Sequence, residues 1–455
     1  STHLPMKNIK YILFCLPVFF FSWSCTTDAP VLDTEQFVPP SVQEMVMYEV
    51  NLRVFSDTYD FDGVTAGLDH MASLGVNTIW LMPVFPVGQL NSVGQLGSPY
   101  AVADYQAVNP EFGDMQDFQE LVDAAHERGI AVILDWVANH TAWDNPWISN
   151  TSWYTQDAAG NIVSPPGTGW NDVADLNFDN AAMRRAMIDA LSFWVTNTGI
   201  DGFRCDAADY VPFDFWQQAI DSLHRRHGEG LILLAEGARA DHFAAGFQMN
   251  YGWSFYGSLQ QVFNQNAAVA TLWSTHNAEY SPMPPGTRRL RFTTNHDESA
   301  WDAPPPVLFG GQDAALSAFV FSTFLGGVPL IYNGQEVGKT TTTPFFSRGT
   351  INWFDNPDVL ATYRKLMQIY TSEPAARAAE IRWVDTGFHI ATFVKEADNV
   401  QIMYIVNPRN ATVGATPLPE DLEGQWVDMM TGASMTIAGS LAPAPHSFYI
   451  LKRTL

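Results

Sequence analysis

Short apolar segments alternate with amphipathic, helix-like segments along most of this 455-residue chain. Such alternation is typical of a parallel sheet, because each parallel strand needs a crossover to return the chain to the same edge. Eight units over roughly 300 residues predict an α/β fold, a (β/α)8 TIM barrel, whose usual size is about 250 residues before insertions. An open doubly wound sheet is the alternative, but no glycine-rich phosphate loop follows the first segment. The predicted strands are residues 45–54, 76–82, 130–137, 200–205, 231–235, 247–251, 289–294 and 328–332.

Two regions depart from this alternation. Residues 140–178 contain four tryptophans, several glycines and prolines and no helical period, which predicts a small irregular insertion after the third strand. From residue 371 the pattern changes to alternating strand signals separated by turns such as Asn407-Pro408, which predicts a C-terminal antiparallel β-sandwich domain. We therefore expect a barrel over residues 41–370 and a β domain over residues 371–455.

The charge balance restricts the kind of partner. The chain has 23 basic and 48 acidic residues and a formal net charge of -25 at pH 7. This excess repels polyanions, so we expect neither a nucleic acid nor an anionic membrane surface as a partner. A neutral polymer is not repelled, and a polysaccharide substrate is therefore compatible with the charge.

The first 25 residues are predicted to be upstream residues followed by an export signal. Lys7 and Lys10 precede the apolar run 11–23, which is too short for a comfortable membrane span. Small residues then lead to Cys25, which resembles the acylated cysteine of bacterial lipoproteins. Cleavage nearby by an ordinary signal peptidase is the alternative. We expect export, as an outer-membrane or cell-surface lipoprotein that contacts the membrane only through Cys25, or otherwise a secreted or periplasmic protein.

Residues 26–40 are polar and contain proline without any period, which predicts a tether between the anchor and the fold. Of the three cysteines, Cys15 and Cys25 belong to the signal region, so only Cys205 remains in the mature fold. An intramolecular disulfide is therefore excluded there, and stability must come from the core.

Three acidic residues lie just beyond three different predicted strands. They are Asp206, Glu236 and Asp297, in the segments GIDGFRCDAAD, LILLAEGAR and LRFTTNHDES. Taken singly, an acid at a strand end often caps the following helix. Together they converge, because the carboxyl ends of barrel strands meet at one face. Cleavage of a sugar bond needs a nucleophile, a proton donor and a group that stabilises positive charge, and these three acids provide them.

The alternation of side chains along a strand predicts the direction in which the neighbours of Asp206 point. If Asp206 faces the barrel mouth then so does Arg204, while Phe203 and Cys205 point outward to the helices. The fixed charge of Arg204 is expected to keep Asp206 ionised. Glu236 follows a purely apolar strand, an environment that raises the pKa of a general acid.

These motifs resemble those of the α-amylase family of glycoside hydrolases (family 13). Asp135-Trp-Val-Ala-Asn139-His140 is similar to the family's DxxxNH, Gly202-Phe-Arg204-Cys-Asp206 to GFRxD, and Asn295-His296-Asp297 to NHD. Glu236 matches the acid/base position. Weaker similarities are Tyr48-Glu-Val-Asn-Leu-Arg-Val-Phe, Ser98-Pro-Tyr100, Val173-Ala-Asp-Leu-Asn177 and Asn333-Gly-Gln-Glu336.

The resemblance implies a retaining reaction on α-glucans. In it Asp206 is the nucleophile, Glu236 the acid/base and Asp297 the stabilising acid. Tyr100 would stack on the sugar being cleaved, with His140, Arg204 and His296 holding substrate and charge. The resemblance also implies a calcium ion that joins barrel and insertion, bound by Asn139, Asp175 and the carbonyl of Tyr210, where the family usually has histidine. An ordinary polar turn is the alternative at that position.

The sequence determines the substrate specificity less fully than it determines the family resemblance. Ala207 resembles enzymes that act on α-1,4 bonds, but Asp209-Tyr210 replaces the Lys-His pair that many α-amylases carry. We expect an endo-acting α-amylase that cuts starch. The alternatives are a maltodextrin hydrolase of the neopullulanase or cyclomaltodextrinase kind, a transglycosylase, and, from another class, a non-catalytic glucan-binding lipoprotein. The insertion contains four tryptophans that either stack on sugars or pack within the insertion: Trp143, Trp147, Trp153 and Trp170.

Overall fold

Eight parallel strands close into a barrel in the computed structural model, which describes residues 36–455. The predicted (β/α)8 fold is therefore confirmed. Around the barrel the strand order is β1-β2-β3-β6-β7-β8-β9-β10, and β10 pairs with β1. Strands β4 and β5 form a separate antiparallel hairpin in the insertion. The strands are β1 (Met47–Val50), β2 (Thr78–Leu81), β3 (Ala131–Trp136), β4 (His140–Ala142), β5 (Val173–Asp175), β6 (Gly202–Cys205), β7 (Ile232–Ala235), β8 (Met249–Tyr251), β9 (Arg288–Arg291) and β10 (Val328–Tyr332).

Helices surround the barrel, and several begin with a side-chain cap. Asp114 accepts hydrogen bonds from two backbone N–H groups at the start of α4, and Asn180 does the same for α5. The helices are α1 (Leu52–Phe55), α2 (Phe61–Ala66), α3 (Leu68–Ser73), α4 (Met115–Glu127), α5 (Ala181–Thr198), α6 (Phe213–His227), α7 (Asp241–Ala245), α8 (Trp253–Asn264), α9 (Ala270–Tyr280), α10 (His296–Trp301), α11 (Pro305–Leu308), α12 (Gln312–Phe324) and α13 (Pro357–Ser372). Short 3₁₀ helices are Pro146–Ser149, Thr151–Trp153, Ala208–Tyr210, Gln335–Val337, Pro374–Arg377 and Glu420–Leu422.

Alternation along the strands divides the barrel core into two apolar layers. One layer fills the barrel interior and includes Met47, Trp80 and Ile133. The other lies between the sheet and the helices and includes Phe203 and Cys205, as the alternation in β6 predicts. Burial raises the pKa of the Cys205 thiol well above its usual range, so this cysteine is a core residue and not a reactive thiol.

The first strand ends earlier than expected. The apolar pattern predicts a strand over residues 45–54, but β1 stops at Val50 and the chain turns into α1. The reason is Asn51, whose side chain accepts a hydrogen bond from the N–H of Arg53 and so caps a helical turn. Residues that hydrophobicity alone assigns to a strand are therefore helical, because the side chain of Asn51 caps the helical turn.

Beyond α13 the chain forms an antiparallel sheet of six strands in the order β11-β12-β13-β18-β15-β16, with a two-stranded ribbon of β14 and β17. The antiparallel C-terminal fold is as predicted. The alternating signals lie at residues 381–384, 389–393, 401–406 and 447–451, which become β11, β12, β13 and β18, whereas β15 and β16 lack a clear signal because only one residue in each is fully buried. The strands are β11 (Arg382–Val384), β12 (Ala391–Ala397), β13 (Val400–Val406), β14 (Thr416–Pro417), β15 (Gly424–Asp428), β16 (Ser434–Ile437), β17 (Ser440–Leu441) and β18 (Phe448–Thr454).

A buried lysine holds this sheet against the barrel. The ammonium of Lys395, on β12, donates to the carbonyl oxygens of Phe324 at 3.0 Å and Ala376 at 2.7 Å. Phe324 ends α12, and a cation at a helix C-terminus is favoured by the helix dipole. Burial lowers the pKa of Lys395 to about 7.

The predicted export signal, the lipid-anchor residue Cys25 and most of the tether lie outside the described residues, and they stay predictions from sequence. Among residues 36–455, no helix has the length and apolar character needed to cross a membrane.

Glycine is required at the start of β6. A Cβ on Gly202 would lie 1.9 Å from the carbonyl oxygen of Ile232, and the residue has φ +155. We expect Gly202→Ala to lower the free energy of unfolding by at least about 3 kcal/mol. The matched control is Gly257→Ala in α8, where a Cβ meets nothing within 4 Å and should stabilise by about 0.5–1 kcal/mol. Denaturant unfolding measures both, and equal midpoints would contradict the prediction.

Candidate active site

The three predicted acids meet in one cavity at the carboxyl ends of the strands. Asp206 follows β6, Glu236 follows β7, and Asp297 lies in the first turn of α10, shortly after β9. All three line a cavity of about 580 Å³. Asn295 positions Asp297, because its side chain accepts hydrogen bonds from the N–H groups of Asp297 and Glu298 and caps α10. The sequence-based expectation that these strand ends converge is thus met by the geometry.

Arg204 lies directly below two of the acids. Its Nη1 is 3.1 Å from Oδ1 of Asp206, and its Nη2 is 3.2 Å from Oε1 of Glu236. Nη1 also lies 3.0 Å from Oδ1 of Asp135, and Nε donates to the hydroxyl of Tyr251 at 3.0 Å. Its side chain is 0% exposed. Arg204 was predicted among the substrate-binding residues, and it lies beneath the cavity surface, in contact with the carboxylates.

Arg204 does not by itself keep Asp206 ionised. Burial and then the charge of Glu236 raise the pKa of Asp206 well above its usual range, against the lowering effect of Arg204. Burial likewise raises the pKa of Asp135. One guanidinium thus faces three carboxyl groups, and it does not offset the burial and the neighbouring negative charge that raise the pKa of Asp206.

A hydrogen-bonded chain runs from β1 to β3 across the cavity floor. Glu49, on β1, pairs with Nδ1 of His296, and Nε2 of His296 lies 2.8 Å from the hydroxyl of Tyr100. That hydroxyl donates to Oδ2 of Asp135 at 2.9 Å, which also accepts from Nε1 of Trp80 at 2.9 Å. Burial alone would lower the pKa of His296, but the charges of Asp297 and Glu49 raise it to about 9. His296 is therefore an imidazolium at neutral pH and donates from both nitrogens.

His140, by contrast, is neutral. Burial lowers its pKa to about 4, against the effect of a hydrogen bond to the backbone of Tyr100. Both His140 and Tyr100 line the cavity beside the acids. The four residues predicted to bind substrate are thus brought together, with Tyr100, His140 and His296 at the cavity surface and Arg204 beneath it.

Several residues of this site were not singled out from the sequence. Trp80 and Tyr251 are buried aromatic side chains at its base, and Glu49 and Asp135 were noted only as parts of motifs. A signal existed for Glu49, because a carboxyl group in an otherwise apolar strand is rarely buried without a partner. For Trp80 and Tyr251 the sequence holds no signal that distinguishes them from core aromatics.

Aromatic side chains that line the cavity form two pairs. The rings of Trp170 and Tyr210 lie 5.7 Å apart, and Trp170 also packs against His140. On the side of His296, the rings of Trp301 and Phe345 lie 5.7 Å apart. The insertion tryptophans divide accordingly: Trp170 lines the cavity, Trp147 and Trp153 pack on each other, and Nε1 of Trp143 donates to the carbonyl of Asn171.

Two of the residues predicted to bind calcium, Asn139 and Asp175, lie where the insertion leaves the barrel, and Tyr210 lies in the short helix after β6. His140 pairs with Asp175 in the β4–β5 hairpin, and Leu176 donates to the carbonyl of Asn139, so Asn139 and Asp175 are neighbours. Asp175 is half-buried, its pKa is raised by burial, and no basic side chain pairs with it in the described part of the chain. Tyr210 contacts the insertion through its ring on Trp170.

These oxygen donors fit calcium, which prefers carboxylate, amide and carbonyl ligands. Nδ2 of Asn139 is 3.2 Å from Nδ1 of His140, which leaves the amide oxygen for a ligand. Over residues 36–455 no group of three histidine, cysteine, aspartate or glutamate side chains is able to hold a metal. A cation here would therefore depend on amide and backbone oxygens together with Asp175.

Comparison with known proteins agrees with this geometry. The family model described as "Alpha amylase, catalytic domain" matches residues 51–159 and 168–407. A match of this extent, over a barrel with these acids at its strand ends, identifies a glycoside hydrolase. The chain belongs to the alpha-amylase family.

Individual relatives cover different shares of the chain. Alpha-amylase MalA of Haloarcula japonica is 31% identical over 316 residues, which are 66% of this chain and 45% of that protein. Alpha-amylase 3 of Dictyoglomus thermophilum is 29% identical over 355 residues, 70% of this chain and 69% of the relative. The chain thus spans less than half the length of the first of these. A trehalose synthase of Pimelobacter is 35% identical over 210 residues, 38% of this chain and 35% of that enzyme.

Solved structures are similar over nearly their whole length. An alpha-amylase from Lactobacillus plantarum superposes with a TM-score of 0.83 and 28% identity, covering 91% of this chain and 99% of the other. A maltogenic alpha-amylase, AmyB, from Thermotoga neapolitana has a TM-score of 0.82 and 25% identity over the same shares.

The pairing of Glu49 with His296 predicts a pH effect. We expect Glu49→Gln to lower the pKa of His296 by about 1–3 units, because it removes one of two nearby negative charges. The alkaline limb of the kcat profile should move to lower pH with it. A pH–rate profile together with NMR titration of the imidazole measures both. Glu373→Gln, which breaks a remote pair with Lys452, is the control, and an unchanged imidazole titration in Glu49→Gln would refute the prediction.

Proposed function

We propose that this protein is a retaining, endo-acting glycoside hydrolase that cleaves α-1,4 bonds in starch and related glucans. The observation that carries the proposal is the shared guanidinium. Asp206 and Glu236 both contact Arg204, at 3.1 and 3.2 Å, so the two carboxyl groups are held close together in one cavity. Retaining enzymes need their two carboxyls only about 5–5.5 Å apart, because one of them attacks the sugar directly.

In the first half-reaction Asp206 attacks the anomeric carbon. Glu236 gives its proton to the leaving oxygen, the glycosidic bond breaks, and the sugar becomes bound to Asp206 as an ester. Positive charge develops on the ring at this point, and the carboxylate of Asp297 at the cavity surface is suited to stabilise it. The His296 imidazolium, 3.5 Å from Asp297 through Nε2, holds that carboxylate and the hydroxyl of Tyr100 in place.

In the second half-reaction water replaces the leaving group. Glu236, now a carboxylate, takes a proton from water as its oxygen attacks the anomeric carbon, and the bond to Asp206 breaks with its electron pair returning to that carboxylate. Its position is fixed from both sides, because Ala207 N–H donates to Oε2 at 2.6 Å and Arg204 contacts Oε1. One carboxyl group thus serves as acid and then as base without moving.

A second candidate has some support of its own. The relatives include an enzyme named trehalose synthase and a structure named maltogenic alpha-amylase. These names describe rearrangement or short products, in agreement with a transglycosylase or a trimming hydrolase of the neopullulanase or cyclomaltodextrinase kind. The resemblance implies that the change at Asp209-Tyr210, which also lines the cavity, affects the leaving-group side, where such enzymes would differ from endo-acting ones.

The product profile separates these functions. From soluble starch we expect mixed oligosaccharides at early times, because an open cavity allows attack within a chain. Asp206→Asn should reduce the rate by at least about 10⁴-fold, because it removes the nucleophile while leaving the binding surface. Chromatography of products from starch and maltoheptaose over time is the measurement.

Other product profiles would support a different function. A single short product favours the trimming hydrolase, and products longer than maltoheptaose favour transfer. If parent and Asp206→Asn bind starch equally and the parent releases no sugar, the protein is a glucan-binding lipoprotein and the enzymatic proposal is wrong.

We also propose calcium at Asn139, Asp175 and the carbonyl of Tyr210. The ion would join the insertion to the barrel and so position Trp170 and His140, with no part in the covalent steps. Chelation should lower the midpoint of thermal unfolding by several degrees, since a bound ion stabilises only the folded state. Asp175→Asn should remove this sensitivity. A midpoint unaffected by chelator and by added calcium in the parent would argue for an ordinary polar turn.

A further inference from the structure

Helix α10 carries one of the three acids of the site. Asp297 lies in its first turn, and Trp301 at its last residue also lines the cavity. The helix has only six residues, so its own backbone hydrogen bonds hold it weakly. At its first end, the side chain of Asn295 accepts hydrogen bonds from the N–H groups of Asp297 and Glu298 at 3.0 and 2.9 Å. The position of Asp297 therefore also depends on what holds the other end.

The other end of α10 is tied to α8 by a hydrogen bond. The hydroxyl of Tyr256, on α8, donates to Oδ2 of Asp302 at 2.8 Å, and Asp302 is the residue that follows the last turn of α10. Tyr256 is itself fixed, because it is only 5% exposed and its ring lies 5.4 Å from that of Phe292 in the barrel interior. A buried ring whose hydroxyl reaches a helix end is a rigid point of attachment.

Glu298 makes this attachment depend on a proton. It stands four positions before Asp302, so the two side chains share one face of α10. Burial, then the hydrogen bond and charge of Asp302, then the charge of Asp297 raise the pKa of Glu298 to about 8, against a smaller opposite effect of the Tyr256 hydroxyl. No arginine, lysine or histidine among residues 36–455 pairs with Glu298 or Asp302. At neutral pH Glu298 is therefore a carboxylic acid that donates to the carboxylate of Asp302.

Loss of this proton would place two negative charges on one face of a six-residue helix. Like charges at this spacing destabilise a helix, and the charge of Asp297 adds to the repulsion. Tyr256 has a single O–H donor, which cannot neutralise two carboxylates. The last turn of α10 would then be held less firmly to α8, and Asp297, in the first turn of the same short helix, would lose part of its support.

We propose that Glu298, Asp302 and Tyr256 form a proton-dependent clamp, the α10 clamp, which holds Asp297 in the position that the reaction uses. All three are positioning residues, since they lie outside the cavity lining. When Glu298 gives its proton to solvent at alkaline pH, its hydrogen bond to Asp302 is lost and Asp297 is less well placed to stabilise charge on the sugar ring. The inference rests on the proposed function and adds a control by pH to it.

Amide variants test the α10 clamp, because an amide N–H donates at every pH. We expect the alkaline limb of the kcat profile on maltoheptaose to lie about one pH unit higher in Glu298→Gln and in Asp302→Asn than in the parent. In both variants the two side chains form their hydrogen bond without the proton that the parent needs. The His296 imidazolium, whose pKa is about 9, then sets the remaining limb. The measurement is a pH–rate profile of each protein, with thermal unfolding to confirm that each variant is folded.

Two further variants complete the test. Tyr256→Phe keeps the buried ring but removes the attachment to Asp302. We expect its kcat to fall by roughly threefold to tenfold, because a misplaced Asp297 stabilises the transition state less. KM should change by less than about twofold, since the clamp does not touch the substrate. Glu380→Gln is the matched control: it makes the same change of charge on an exposed residue outside the cavity lining, and it should keep the parent profile.

Failure of the clamp differs from failure of the proposed function. An alkaline limb at the parent position in both amide variants would overturn the clamp. An equal loss of kcat at every pH in both would overturn it as well, because it would assign Glu298 and Asp302 to general support of the fold. A parent protein that releases no sugar from starch or maltoheptaose would refute the proposed function, and the clamp with it.

Discussion

The site depends on one buried guanidinium. Arg204 is enclosed on every side: Asp135 lies in register with it on the neighbouring strand, Asp206 is one pleat above it, and Glu236 lies at the end of the next strand. The ring of Trp80 covers it at 4.6 Å. A buried cation is tolerated only with such partners, and each acid is tolerated at this depth only because of the cation. The charges therefore hold one another in position before any substrate binds.

This arrangement leaves the acids with more negative charge than the cations balance. Arg204 and the His296 imidazolium face Glu49, Asp135, Asp206, Glu236 and Asp297. Burial raises the pKa of Asp206 and of Asp135, and the charge of Glu236 raises that of Asp206 further, so binding of a proton relieves part of the imbalance. Retaining chemistry uses such a state, because it needs a proton on one carboxyl group and none on its neighbour.

Around this fixed centre, the loops determine what the cavity accepts. The insertion contributes Trp170, the turn after β6 contributes Tyr210, and the long loop after β10 contributes Phe345. Among the described residues, the side chains of Trp170, Tyr210 and Phe345 form no hydrogen bond or ion pair with the three acids, which Arg204, His296 and Ala207 contact. Variation among them is thus compatible with an unchanged reaction centre, and barrels generally vary function in this way. Relatives with different names at similar overall identity are consistent with that division.

The sequence by itself determined the barrel and the acids, because both are local features. Strand periodicity is visible over four to eight residues, and Asp206, Glu236 and Asp297 each mark the end of such a run. Only the tertiary structure decided that Glu49 pairs with His296, that Asp209 turns inward to His242, and that Trp170 meets Tyr210. These contacts join segments far apart in the chain, and the direction of a loop side chain depends on partners that periodicity does not encode. The early end of β1 also depends on a local contact, the hydrogen bond from the N–H of Arg53 to the side chain of Asn51. In the sequence, one capping residue is a weaker signal than the apolar run that predicts a longer strand.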